Sequence, residues 1–438
     1  MSTVIMLALA PLLAANTPYE ATWESLDRRP NPAWFTDAKF GVFIHWGVYS
    51  VPAWGPKDRY SEWYWHDLIQ GDGRTREFHD AIYGEAVKYQ DFAPQFKAEL
   101  FDPAHWADVF ERAGAKYVVL TSKHHEGFCL WPNPQSWNWN SVDIGPHRDL
   151  AGDLTAAVRE TGLKMGFYYS FYEWFNPLYN SDVDRYVDEY MLPQLKDLVQ
   201  RYKPDIIWPD GEWSHPSSTW RSTEFLAWLF NESDAPDDVV INDRWGKECR
   251  NVHGGFATPE YGHIPEGKLI QRGDFEECQG MGRSFGYNRN ETADNYRSTA
   301  QLLHLLIGNV SRGGNLLLDI GPTADGRIPV VMEQRLLEMG EWLAVNGDAI
   351  YGTRKPDSAP ELEHVQFTQK GDTLYAISLQ WPGETLSFPL EKVISAVSLL
   401  GHGAPLEFTQ ADGNLTIAVP QLTIDQLPCL HAWAFKLE

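Results

Sequence analysis

The sequence predicts an α/β chain: a (β/α)8-like barrel followed by a small all-β sandwich. Three observations predict it. Between about Trp23 and Gly352, short β-branched or aromatic runs alternate with longer helix-patterned stretches, which implies parallel strands joined by right-handed crossovers. Eight such strand candidates, with no G-x-G-x-x-G after an early strand, favour a barrel over an open dinucleotide-binding sheet. Past Gly352 the helical pattern stops and short alternating runs take over, as in antiparallel strands.

The first strand candidate is Phe40–Trp46, closed by Gly47. A helix follows with Asp102 as its cap, Pro103 in its first turn, and Trp106, Val109, Phe110 and Ala113 on one face. It leads into the second candidate, Lys116–His125. A helix through Leu154, Ala157 and Val158 precedes the third, Lys164–Ser170. The next helix carries Val187, Met191, Leu195 and Val199 on one face, with a kink expected at Pro193. The fourth strand, Ile206-Ile207-Trp208, ends at Asp210-Gly211, and the fifth is Val239–Trp245. Ala257–Tyr261 and Phe275–Cys278 are weaker candidates. The last is Asn315–Ile320, after a helix from roughly Tyr296 to Val310. A polar, breaker-rich linker then separates residues 18–352 from a sandwich domain at 361–438. Its strand candidates are Asp372–Ser378, Thr385–Phe388, Asn414–Val419 and His431–Phe435.

Composition narrows the partners. With 60 acidic against 36 basic residues the formal charge is −24, a field that repels phosphate backbones and argues against nucleic-acid binding. Nineteen Trp and nineteen Tyr supply platforms suited to the apolar faces of sugar rings. Cys129, Cys249, Cys278 and Cys429 are too widely spaced for a zinc finger or a disulfide framework. Residues 1–17 hold an apolar run ending in small residues, like a signal peptide without its basic start. A periplasmic or secreted protein without a membrane span is therefore expected, with both a monomer and a homo-oligomer open.

Candidate chemistry gathers at the strand ends. They supply His45-Trp46, His124-His125-Glu126, Tyr168-Tyr169, Trp208 with Asp210, and Asn242-Asp243-Arg244. Such side chains at the C-terminal mouth of a barrel suit a polyol pocket. Asp210, flanked by Trp208 and Trp213, is a candidate nucleophile, although an Asp-Gly pair also caps turns. Retaining glycoside hydrolysis needs a second carboxyl as acid/base. Glu260 sits beside a proline and a tyrosine, surroundings that raise a carboxyl pKa, and spacing leaves Glu276 and Glu62 open as well. The paired histidines lack H-E-x-x-H spacing, and neighbours on a strand face opposite ways, so no metal site is expected.

Seven motifs, in order, resemble glycoside hydrolase family 29, the retaining α-L-fucosidases. They are Phe40–Gly47, Ser61–Trp65, Lys123–Phe128, Ile207–Gly211, Asn242–Gly246, Phe275–Cys278 with Ser284–Arg289, and Gly314–Pro322. The resemblance implies a catalytic barrel followed by a β-sandwich, and hydrolysis of terminal α-L-fucosyl residues on glycans without cofactor or metal. It implies Asp210 as nucleophile and Glu260 as acid/base, with Glu276 the alternative. It further implies that His45, Glu62, Trp63, His124, His125, Tyr168, Trp208, Arg244 and Phe285 bind the sugar. One departure is Asp274-Phe275 where many members have Lys-Trp. The His-His-Glu-Gly run resembles the branch of broader specificity. Other readings are a fucose-binding protein without turnover and a metal-dependent hydrolase.

Overall fold

The computed structural model describes residues 18–262 and 273–438, so the leader-like segment 1–17 lies outside the described residues. Seven parallel strands form one sheet: β1 (Phe40–Ile44), β2 (Tyr117–Lys123), β3 (Lys164–Ser170), β4 (Ile206–Asp210), β5 (Val240–Ile241), β6 (Glu276–Gly280) and β7 (Asn315–Ile320). Their order is β5-β4-β3-β2-β1-β7-β6. The last strand thus pairs with the first, Phe40 opposite Leu316, as wrapping into a barrel demands.

Between the two edges of this sheet runs the segment Phe256–Glu260. Isolated parallel bridges join it to both sides: Asn242 with Phe256, Ala257 with Phe275, and Glu260 with Cys278. This is the eighth stave, where the sequence offers only a weak strand signal. Pro259 has no N–H to give to a ladder, so the stave is pinned at points. The fifth strand is shorter than its run suggests, because Asn242 turns its side-chain amide onto the Pro209 carbonyl at 3.0 Å.

Side chains alternate across each strand. Val42, Ile44, Phe167 and Ile207 pack outward into the helix layer, whereas Phe43, Val119, Tyr168, Ile206, Trp208 and Leu317 fill the barrel interior. The helices read from the sequence are present, and others, such as Ser222–Asn231 and Val330–Asn346, add to them. Pro103–Arg112 is capped by Asp102, whose carboxylate accepts from Ala104 and His105 N–H, satisfying donors the helix leaves free. The kink expected at Pro193 instead takes the form of a π turn, Val187–Met191, one turn earlier. Pro193 then falls in the first turn of Leu192–Tyr202, where its missing N–H breaks no bond.

The C-terminal strands are β8 (Val365–Lys370), β9 (Thr373–Ser378), β10 (Thr385–Pro389), β11 (Val397–Leu399), β12 (Phe408–Ala411), β13 (Asn414–Ala418) and β14 (Trp433–Leu437). They form two antiparallel sheets, β11-β14-β9-β8 and β10-β13-β12. Phe367, Phe388, Leu415, Ile417 and Phe435 fill the space between them. The opposite face of the larger sheet, through Tyr375, Ile377 and Ala434, joins the main core. Among the described residues no helix is long and apolar enough to cross a membrane.

Candidate active site

Strand parity aims Asp210 into the barrel mouth. Ile206 and Trp208 face the interior of β4, so Asp210, two residues further, continues that face at the strand's C-terminal end. His45 follows inward-facing Phe43 in the same way. The paired histidines lie just past the end of β2, where strand alternation no longer applies. The β2–β3 register shifts between Thr121 and Lys123, which sends Lys123 outward to Glu173 at 2.5 Å. The chain turns directly afterwards, Gly127 N–H donating to the His124 carbonyl at 3.0 Å, and both His124 and His125 line the pocket.

Asp210 is nearly buried, and its oxygens are distinguished. Oδ1 accepts from Arg244 Nη1 at 2.6 Å, and Oδ2 accepts from the Tyr168 hydroxyl at 2.9 Å. Burial pushes its pKa up, but Arg244, with Arg250, outweighs that and holds the carboxyl well below the usual range. Arg244 is itself fixed on several sides. Its Nε donates to Thr258 Oγ1 at 2.9 Å, its plane lies over Trp208 at 4.4 Å, and its Nη2 donates to Glu260 at 3.3 Å. One guanidinium therefore holds both candidate carboxylates. Glu260, on the eighth stave, also accepts from the Tyr60 hydroxyl at 3.1 Å.

The remaining wall is polar on one side and aromatic on the other. His45 Nδ1 lies 2.6 Å from Asp319 on β7, and burial holds the ring's pKa well below its usual value. The Ser170 hydroxyl donates to the Tyr172 carbonyl at 2.7 Å, so it accepts from His125 Nδ1 at 2.6 Å. That fixes the tautomer and leaves His125 Nε2 as an acceptor toward the pocket. Glu62 accepts from Gly286 N–H at 2.8 Å and Ser284 at 3.1 Å. Burial raises its pKa nonetheless. Phe285 stacks on His45 at 4.8 Å, and Trp63 meets His125 edge-on at 5.1 Å.

Asp210, Glu260 and the nine side chains expected to bind sugar all line one cavity, together with Phe43, Tyr60, Trp213, Arg250 and Cys278. Glu276, the alternative acid/base, does not. It starts β6 inside the barrel, where the Tyr117 hydroxyl and Trp208 Nε1, at 3.0 Å, donate to its two oxygens. Burial pushes its pKa up to about 7. Tyr60 and Arg250 were not anticipated. Tyr60 stands just before the Ser61–Trp65 motif, and Arg250 lies in a loop without strand periodicity.

A barrel mouth with a buried carboxylate, a second carboxylate on the same arginine and an aromatic wall is the arrangement that a glycoside hydrolase requires. The α-L-fucosidase family model matches residues 6–348, and the model of the α-L-fucosidase C-terminal domain matches 360–438. Human tissue α-L-fucosidase is 45% identical over 96% of this chain and 91% of its own length. The α-L-fucosidase of Branchiostoma floridae is 44% identical over 99% of both. The crystal structure of Thermotoga maritima α-fucosidase in complex with fucose superposes with a TM-score of 0.83, at 38% identity, covering 96% of this chain and 100% of that one. The chain belongs to the α-L-fucosidase family, and it is an enzyme that hydrolyses α-L-fucosides.

Proposed function

We propose that the chain is a retaining exo-glycosidase that removes terminal α-L-fucosyl residues from fucosylated glycans, with Asp210 as nucleophile and Glu260 as acid/base. The Arg244 fork is the observation that carries this reading. Retaining glycosidases hold their two carboxyls about 5–5.5 Å apart, and a shared guanidinium suits such a close pair. In the first step an Asp210 oxygen bonds to the anomeric carbon as the glycosidic bond breaks. The bonding pair leaves with the aglycone oxygen, which takes the proton of Glu260. In the second step water attacks the anomeric carbon, gives its proton to Glu260 and releases Asp210 as a carboxylate. Two inversions return the original configuration.

Arg244 keeps Asp210 ionised for the attack. His45, Glu62, His124, His125 and Tyr168 are suited to fucose hydroxyls, and Trp63, Trp208 and Phe285 to the ring's apolar edges and methyl group. The pocket floor is barrel core at Phe43 and Trp208, which supports binding of a chain end over a chain interior. Residues 18–352 and 361–438 are read as the catalytic and sandwich domains. The apolar run within residues 1–17 supports a periplasmic or secreted location.

Proton NMR of an aryl α-L-fucoside digest tests the reaction. α-L-Fucose is expected as the first anomer, before mutarotation. The β anomer first would contradict retention, and no free fucose would favour a binding protein.

A further inference from the structure

Arg250 lines the pocket with a side chain that is 32% exposed, and it is tied to the end of β4, which carries Asp210. Glu212, two residues beyond Asp210, is buried and takes Arg250 in a fork. Arg250 Nε donates to Oε1 at 2.5 Å and Nη2 to Oε2 at 3.3 Å. The same Nη2 lies 3.5 Å from Asp210 Oδ1, the oxygen that Arg244 already holds. Oδ2 meets the neutral Tyr168 hydroxyl and, at 3.9 Å, His125. Cationic contacts thus collect on one oxygen of the carboxylate and leave the other to neutral groups.

This asymmetry has opposite effects on the two half-reactions. Cations beside a carboxylate make it a poorer nucleophile but a better leaving group, because they stabilise the charge that returns to it. We propose that Arg250, aimed by Glu212, is a positioning residue that fixes Asp210 and assists breakdown of the fucosyl-enzyme. The inference rests on Asp210 being the nucleophile. In that step the oxygen of water bonds to the anomeric carbon as the bond from that carbon to Asp210 Oδ2 breaks. The bonding pair returns to Asp210, where charge on Oδ1 meets both arginines, and the water's proton passes to Glu260.

The test is rapid-mixing kinetics of Arg250→Met with a dinitrophenyl fucoside, whose first step needs little acid assistance. A burst of phenolate equal to the enzyme concentration is expected. Steady-state kcat should be lowered about tenfold, less than the ~100-fold that a fully buried donor supplies. KM should fall at least as far, so that kcat/KM does not fall. Arg250→Lys should regain most of kcat. Glu212→Gln, which keeps the cation but loosens its aim, should give a smaller burst of the same kind, and decides the matter should Arg250→Met not fold. No burst, or kcat and kcat/KM falling together, overturns the inference. Asp210→Gly with azide separates the two readings. Fucosyl azide formed there, with no burst in the Arg250 variant, removes the Arg250 role alone. Wild-type turnover by Asp210→Gly removes the nucleophile assignment.

Discussion

Asp210 and Glu260 share Arg244 but stand in different surroundings, so their variants should fail differently. Asp210→Ala should lose at least about a thousandfold in kcat on every substrate, since the proposed nucleophile is gone. Glu260→Ala should lose about 10²–10⁴-fold on fucosides with poor leaving groups and far less on dinitrophenyl fucoside, which departs without a proton. Comparing kcat/KM across a leaving-group series checks both. Glu276 should behave as a structural group. Its pKa is raised by burial from 4.5 to about 7, so the folded state binds more protons than the unfolded chain between those values. Stability therefore falls as pH rises through that window, by about 3 kcal/mol for a fully buried group. Glu276→Gln should flatten this loss in thermal unfolding at pH 5 and pH 8. An unchanged pH dependence would mean that Glu276 does not titrate there. Most of the pocket is legible in the sequence because strand parity and motif resemblance converge on the same side chains. Tyr60 and Arg250 escape because each depends on where a loop folds back, which no short-range pattern encodes.

The elements show the same division. β1 to β4 and β7 read clearly because continuous apolar runs are what a doubly covered parallel strand requires. The eighth stave reads weakly because Gly254-Gly255 and Pro259 surround only a few strand-like residues. Its irregularity suits the site, since a full ladder would leave less freedom to bring Glu260 beside Arg244. The π turn before Pro193 and the bulge after Thr121 were likewise invisible, since each is an insertion resolved by packing rather than by local propensity. The turn that follows β2 is what allows adjacent histidines to share one pocket.

At the scale of the whole molecule, the sandwich buttresses the barrel away from its mouth. Trp342 Nε1 donates to the Ala432 carbonyl at 2.8 Å, His304 lies 3.0 Å from the His431 carbonyl, and Ser311 donates to Gln366 at 3.0 Å. Trp342→Ala should cost about 3–5 kcal/mol of stability through the cavity it leaves. Because the contact is remote from the pocket, kcat/KM per folded enzyme should stay unchanged, as calorimetry and active-site titration would show. β11 and β12 escape the sequence because they are short, and β8 because its alternation at Val365 and Phe367 runs out into a polar end. All of this scaffolding serves one carboxylate at the end of β4. The direct measurement is to inactivate the enzyme with a 2-deoxy-2-fluoro-α-L-fucosyl fluoride, digest it with protease and locate the sugar by mass spectrometry. The fluorofucosyl group should be found on Asp210. A label on Glu260, Glu276 or Glu62, or inactivation without any covalent label, would contradict the assignment of Asp210 as nucleophile.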